Sequence, residues 1–212
     1  MLTLVIILGA VAIGVISPGP SFILVARMAM APSVGHAGGR RNALAAALGM
    51  GVGGVVFAGL ALFGLTAVLG RVGGLYLGLK LAGGLYLLYL GWRIWRGASR
   101  ALEITDAAAA APQGPGTSFL LGLATQLSNP KTALVYASIF AALLPAHPPA
   151  WLAAALLPLL FMLEAGWYSL VALSLSSTRP RGAYLRAKTV IDRCAGAVMG
   201  LLGARLLLDS GH

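Results

Sequence analysis

Two apolar stretches of the chain are interrupted at matching places, one at Ser17-Pro18-Gly19-Pro20 and the other at Ser128-Asn129-Pro130-Lys131. Each interruption lies inside a run of Leu, Val, Ile and Ala long enough to cross a bilayer. Proline lacks a backbone donor and its ring clashes with the preceding turn, so a helix does not pass through intact. Within a membrane, the carbonyls it frees have to meet protein or trapped water rather than lipid. Broken helices at equivalent positions in two halves of a chain point to a transporter's binding site.

Composition places the chain in a membrane. Apolar residues make up 59% and charged residues 9%, against about 25% charged in a soluble domain, and the mean hydropathy is +0.90. A length of 212 residues fits one domain. The net charge of +10 does not point to nucleic acid, because most of the fifteen Lys and Arg fall in short segments between apolar runs, as topology signals do. Cys194 is the only cysteine, so no intrachain disulfide or redox pair is expected. His36, His147 and His212 are far apart and none has metal-ligand spacing, so neither a metal nor another cofactor is expected. The N-terminus lacks the basic start of a signal peptide, and Leu2 to Ala26 is too long for its apolar region. It reads as a first spanning helix.

About 20 apolar residues are needed to span a bilayer. Six segments qualify: Leu4 to Ala29, Ala43 to Leu69, Val72 to Ile94, Ser118 to Leu144, Ala150 to Ser174 and Thr189 to Leu208. The expected fold is an all-α polytopic membrane protein. Gly97 to Thr117, rich in Ala, Pro and Gly, reads as a mobile cytoplasmic linker between a first three-helix unit (1–96) and a second (118–212). Arg27, Arg40, Arg41, Arg93, Arg96, Arg100, Arg179, Arg181, Arg186, Lys188 and Arg193 follow helices 1, 3 and 5, and only Arg71 lies in the alternate loops. That bias puts the charged loops in the cytoplasm and both termini outside.

The two units look related. The ten residues from Ser17 lie over those from Ser128 at an offset of 128 − 17 = 111, and Gly84, Gly91 and Arg93 lie over Gly196, Gly203 and Arg205 at 196 − 84 = 112. Three helices is an odd number, so the second copy inserts upside down. The expectation is a 3+3 inverted repeat with helices 1 and 4 broken.

Lys80, Lys131 and Glu164 fall near the middles of helices 3, 4 and 5. Each costs roughly 2.5–3.5 kcal/mol at a helix centre, so such groups pair within the bundle or line a watery path. Glu164 reads either as a proton-coupling carboxylate or as the fixed partner of Lys131 or Lys80; a pair that opens during a cycle would be both. Lys131, directly after the second break, could hold a substrate carboxylate with help from the half-helix that follows, or neutralise Glu164. Lys80 is a second coupling candidate, or reaches headgroups. Arg27 reads as a snorkelling residue at the cytoplasmic end of helix 1, with substrate contact as the alternative. Asn129 can satisfy carbonyls freed by Pro130 or contact a ligand, and Gly19 lets backbone approach closely. Trp167 and Tyr168, a turn beyond Glu164, are candidate cavity residues. The candidate binding set is thus Pro18, Gly19, Pro20, Asn129, Pro130, Lys131, Trp167 and Tyr168. Trp92 and Trp95 fit an interfacial belt better, and Gly49, Gly51, Gly53, Gly54 and Gly59 suit close helix packing.

These residues resemble the LysE/RhtB translocators, exporters of amino acids and their derivatives. The resemblance covers nearly the whole chain. It rests on Ser17-Pro18-Gly19-Pro20 followed by Gly35 to Gly49, on Leu79-Lys80-Leu81-Ala82-Gly83-Gly84 through Gly91-Trp92-Arg93, and on Gly122-Leu123 through Asn129-Pro130-Lys131-Thr132-Ala133-Leu134 with Leu144-Pro145 downstream. Departures are Val135, where the family is similar but aromatic, Pro145-Ala146-His147 in place of a Pro-Gln-Phe-like tail, and Glu164, where the family often has Asp. The resemblance implies proton-driven export of a small zwitterion from the cytoplasm across a bacterial inner membrane. Partners would be the substrate, protons and lipid, with no nucleic acid.

Other classes fit less well. A thiol or soft-metal protein needs a dithiol or a ligand cluster. An intramembrane enzyme needs a nucleophile and base; Ser17 or Ser128 with Lys131 offers one, but the adjoining prolines fit a helix break better. A passive channel is the alternative that only flux measurements separate from a carrier. Six helices can enclose a small cavity alone, and exposed glycine faces could also make a homodimer.

Overall fold

The structure is a computed structural model that describes residues 1–30, 35–69, 73–99, 114–145, 148–176 and 178–208. Among the described residues there are eight helices and no strand. They are α1 (Leu2–Ile16), α2 (Pro20–Met30), α3 (Gly35–Leu69), α4 (Gly73–Gly97), α5 (Pro115–Leu127), α6 (Pro130–Leu143), α7 (Ala150–Leu175) and α8 (Thr178–Leu208).

The gaps between α1 and α2 and between α5 and α6 have the same local cause. Ser17 closes α1 at φ −66°, ψ 124°, and Asn129 precedes α6 at φ −84°, ψ 104°. Both stand before a proline, whose Cδ drives the preceding residue out of the helical region. Pro20 and Pro130 then open α2 and α6, at the one helical position where a missing N–H costs nothing. α1 and α2 meet at a bend of 57°. By contrast, α7 runs through Pro158 without interruption. Proline alone therefore does not set these gaps; each is fronted by a serine, with Asn129 added in the second.

Helix lengths exceed the apolar segments that announce them. α3 starts eight residues before Ala43 and α8 eleven before Thr189. Both extensions are polar and basic, with Arg40, Arg41 and Arg186 exposed. Hydropathy marks only the stretch that would suit lipid, whereas helical hydrogen bonding continues through the polar residues before it. At 35 residues, α3 is about 52 Å long at the usual rise, well beyond a hydrocarbon core of about 30 Å. Among the described residues, two helical segments are long and apolar enough to cross a membrane, Gly38–Gly64 and Ala150–Leu175, or three if the bent α1–α2 pair is one span. α5 and α6 are each too short alone, at 13 and 14 residues. Of the expected linker, residues 100–113 lie outside the described ones, as does Arg71, and α5 already starts at Pro115.

α3 packs along α5 and α7, and α4 packs along α8. Glycine sets the distance of approach. A Cβ at Gly49 would strike the backbone of Phe119, and one at Gly122 that of Ala46. On the other seam a Cβ at Gly196 would lie 2.7 Å from the Gly91 carbonyl, and one at Gly203 2.7 Å from that of Gly84. Small residues let backbones touch where side-chain hydrophobicity gives helices no preference for each other over lipid. Between the seams a buried apolar core gathers Ile7 and Val11 of α1, Phe22 and Val25 of α2, Ile139 and Phe140 of α6, and Leu152, Leu156 and Leu160 of α7.

Candidate functional site

The gap before α2 and the gap before α6 meet across one hydrogen bond. The Lys131 Nζ, from the first turn of α6, donates to the Ser17 carbonyl at 2.7 Å. That carbonyl ends α1 and has lost its helical partner because Pro18 ends the ladder. Gly19 lies against the same side chain: a Cβ there would sit 3.4 Å from Lys131 Cδ and 3.6 Å from its Nζ, in ordinary van der Waals contact. The Asn129 side chain caps α6 by accepting from the Lys131 backbone N–H at 3.1 Å. Its amide also donates to Ser21 Oγ on α2 at 3.0 Å.

Behind this junction lies a polar network enclosed in apolar surroundings. Ser21 Oγ donates to Gln126 Oε1 at 2.6 Å. Gln126 Nε2 donates to Glu164 Oε2 at 3.0 Å, and Tyr136 OH donates to Glu164 Oε1 at 3.0 Å. Tyr168 shares a side-chain hydrogen bond with Ser21. Gln126 and Glu164 are fully buried, and Ser21, Asn129, Tyr136 and Tyr168 are nearly so. Unpaired polar groups at such depth would be costly; here one chain of bonds serves α2, α5, α6 and α7 together. Two glycines of α3 make room for it. A Cβ at Gly53 would fall 2.7 Å from Gln126 Cγ, and one at Gly54 2.9 Å from Glu164 Cγ.

In front of the junction is a cavity of about 850 Å³, within the range of about 300–1,000 Å³ common for small-ligand sites. Pro18, Gly19, Pro20, Asn129, Pro130 and Lys131 all line it, so six of the eight expected binding residues come together. Arg27 lines it too, with Arg93 and Tyr89 of α4 and Lys188 and Asp192 of α8. A second void of about 20 Å³ lies on the inner side, between Lys131, Asn129, Tyr136 and Tyr168. It exceeds the roughly 10–15 Å³ that one water needs. Lys131 lines both spaces and so stands between the cavity and the buried network.

Other expectations are placed differently. Tyr168 lines only the inner void. Trp167 lines neither; it packs partly buried on the core with its indole N–H unpartnered. Glu164 lines neither of these two spaces, and both its oxygens accept from neutral side chains rather than from Lys131. Lys131 in turn serves a backbone carbonyl, not a serine hydroxyl. Lys80 falls on α4, but its side chain lies outside the described residues. Ser21, Gln126, Tyr136 and Asp192 carry the site without having been singled out from sequence. A polar residue inside an apolar run was the available signal for Ser21 and Gln126. Nothing in the spacing marks Tyr136.

The family model for the LysE type translocator matches residues 12–210. A threonine efflux protein of Salmonella typhi is 33% identical, with 93% of each chain covered. One from Escherichia coli K12 is 32% identical over the same share. An uncharacterized membrane protein of that bacterium, YahN, is 28% identical, with 91% of this chain and 83% of its own covered. No solved structure matches the chain. With a family match across almost its full length and threonine efflux proteins among its relatives, the chain belongs to the LysE type translocator family.

Proposed function

We propose that this protein is a secondary exporter of an amino acid or small amino-acid derivative, and that the cavity at the two helix interruptions holds the substrate. The observation that carries this reading is the convergence of Pro18, Gly19, Pro20, Asn129, Pro130 and Lys131 on one cavity of about 850 Å³. The threonine efflux relatives support an amino-acid substrate and make threonine the first one to try. A substrate carboxylate would take Lys131, and in doing so would compete with the Ser17 carbonyl for the same ammonium. Releasing that carbonyl frees the α1–α2 bend. Binding is thus coupled to a hinge through a differential contact, which a ligand-driven transition requires.

Glu164 is the coupling group in this reading. Both its oxygens are held by neutral donors, and Gln126 relays its state to Ser21 on α2. A proton gained or lost at Glu164 would rearrange a connected set of bonds that reaches both interruptions.

The architecture proposed is six spans in a 3+3 inverted repeat, with α1–α2 and α5–α6 as broken spans, in the bacterial inner membrane with both termini outside. Two features support it. The helix starts pair Pro20 with Pro130, an offset of 130 − 20 = 110. Gly19 and Asn129 then share a role, each carbonyl accepting from the N–H four residues on, at 3.0 and 3.1 Å. On the α4–α8 seam, Gly84 meets Gly203 and Gly91 meets Gly196. Exchanging the halves turns the first pair into the second, as a two-fold axis would.

Efflux from cells loaded with dipeptides, followed over a panel of amino acids, tests direction and substrate. Glu164→Gln should abolish gradient-driven efflux while leaving counterflow within about threefold of the parent, since exchange at equilibrium needs no net proton movement. Full gradient-driven efflux in that variant removes Glu164 from coupling. Flux that neither saturates nor responds to a gradient would make the protein a channel.

A further inference from the structure

The α8 wall of the cavity carries a carboxylate that is only half used. Lys188 Nζ donates to Asp192 Oδ2 at 2.8 Å, one helical turn apart. It also donates to the Ala98 carbonyl just past the end of α4, at 3.2 Å, where Thr189 Oγ1 joins it at 3.3 Å. Lys188 is thereby committed to fastening α8 onto α4, in the place where a cation suits a helix C-terminus. Asp192 is 5% exposed, and its Oδ1 is buried with no partner. A desolvated carboxylate oxygen without a donor needs an explanation.

The cavity supplies one. Its described lining includes four cationic side chains, Arg27, Arg93, Lys131 and Lys188, and a single acidic one, Asp192. The space therefore has a cation on the α6 side and an under-satisfied anion on the α8 side. A solute bearing both charges complements the two walls.

Resting on the exporter reading above, we propose that Asp192 receives the substrate's ammonium group while Lys131 takes its carboxylate, so that α8 selects amino acids over plain carboxylic acids. An acid without the ammonium would still be drawn by the cations but would leave Asp192 Oδ1 without a partner. Sites with a polar group to satisfy reject analogues that cannot satisfy it.

The test is inhibition of labelled L-threonine counterflow in proteoliposomes by three probes. They are L-threonine, 3-hydroxybutyrate (which lacks the amine) and L-threoninol (which lacks the carboxylate). The parent should prefer threonine over 3-hydroxybutyrate by about tenfold or more, as expected for a hydrogen bond to a charged group. Asp192→Asn should shrink that gap to about threefold or less while preserving the preference for threonine over threoninol. An unchanged preference in D192N overturns the assignment. Should D192N not insert, carbodiimide labelling of Asp192 in the parent gives the same answer. Threonine and threoninol should slow it and 3-hydroxybutyrate should not; equal rates with all three overturn it. If the parent shows no counterflow with any amino acid in the panel, the exporter reading itself falls.

Discussion

At the head of α2 the residue before the helix is Gly19, and at the head of α6 it is Asn129. Both helices begin on proline, and both preceding carbonyls accept a first helical hydrogen bond. The α6 interruption is self-contained beyond that point. Ser128 and Asn129 N–H return to the Ala124 and Gln126 carbonyls at 2.9 and 3.1 Å, closing α5, and the Asn129 side chain caps α6. The α2 interruption has no such side chain. Its exposed need, the Ser17 carbonyl, is met by Lys131 from the other half. One interruption thus caps itself and the other leans on it, through Lys131, the residue proposed to meet substrate. In the proposed carrier this asymmetry would make α1–α2 the part that moves and α5–α6 the part that holds.

Removing the shared cation should have the largest effect. Lys131→Met leaves the Ser17 carbonyl without a donor and the cavity without its central charge. Transport should fall by about 100-fold or more, as losing one member of a buried charged contact does, while the protein still elutes as a folded species. Wild-type counterflow in K131M would mean the two interruptions are independent. A smaller effect is expected on the rigid side. Asn129→Ala removes one cap, worth about 1 kcal/mol, and a thermal shift of about 2–4 °C should report it. Lys131 and the Ser17 carbonyl remain, so counterflow should persist at a reduced rate. If N129A were instead as severe as K131M, the α6 side would be the fragile one and the comparison would invert.

Much of this site is legible in the sequence, for a local reason. A proline acts on its immediate neighbours, so Ser17 to Pro20 and Ser128 to Lys131 declare the interruptions before any tertiary contact is known. The equivalence of the two is off by one residue when matched on the serines, because chain letters align Pro20 with Lys131 whereas helix starts align it with Pro130. Helix ends beyond the lipid were missed for the reason α3 and α8 give: apolarity ends before the helix does. Of the buried network, only Asn129, Glu164 and Tyr168 were legible in the sequence. Gln126 and Tyr136 become partners of Glu164 through packing of α5, α6 and α7, and that packing rests on Gly53 and Gly54 of α3. A glycine shows that something comes close without showing what. Asp192 was hidden differently. It follows Arg186 and Lys188 in a segment that reads as a topology signal, and only the fold turns it toward the cavity.

The most direct test is substrate protection inside the cavity. Leu134 lines the space and is 43% exposed, so Leu134→Cys, in a background with the exposed Cys194 changed to serine, reports occupancy by its rate of thiol labelling. Leu120, exposed on α5 and absent from the cavity lining, is the control position. An exported amino acid should slow labelling at position 134 by about fivefold or more at saturation, leave position 120 unaffected, and lose its effect at 134 once Lys131 is Met. Labelling at 134 that ignores every exported amino acid, or protection that survives K131M in full, would contradict a substrate site at the two interruptions.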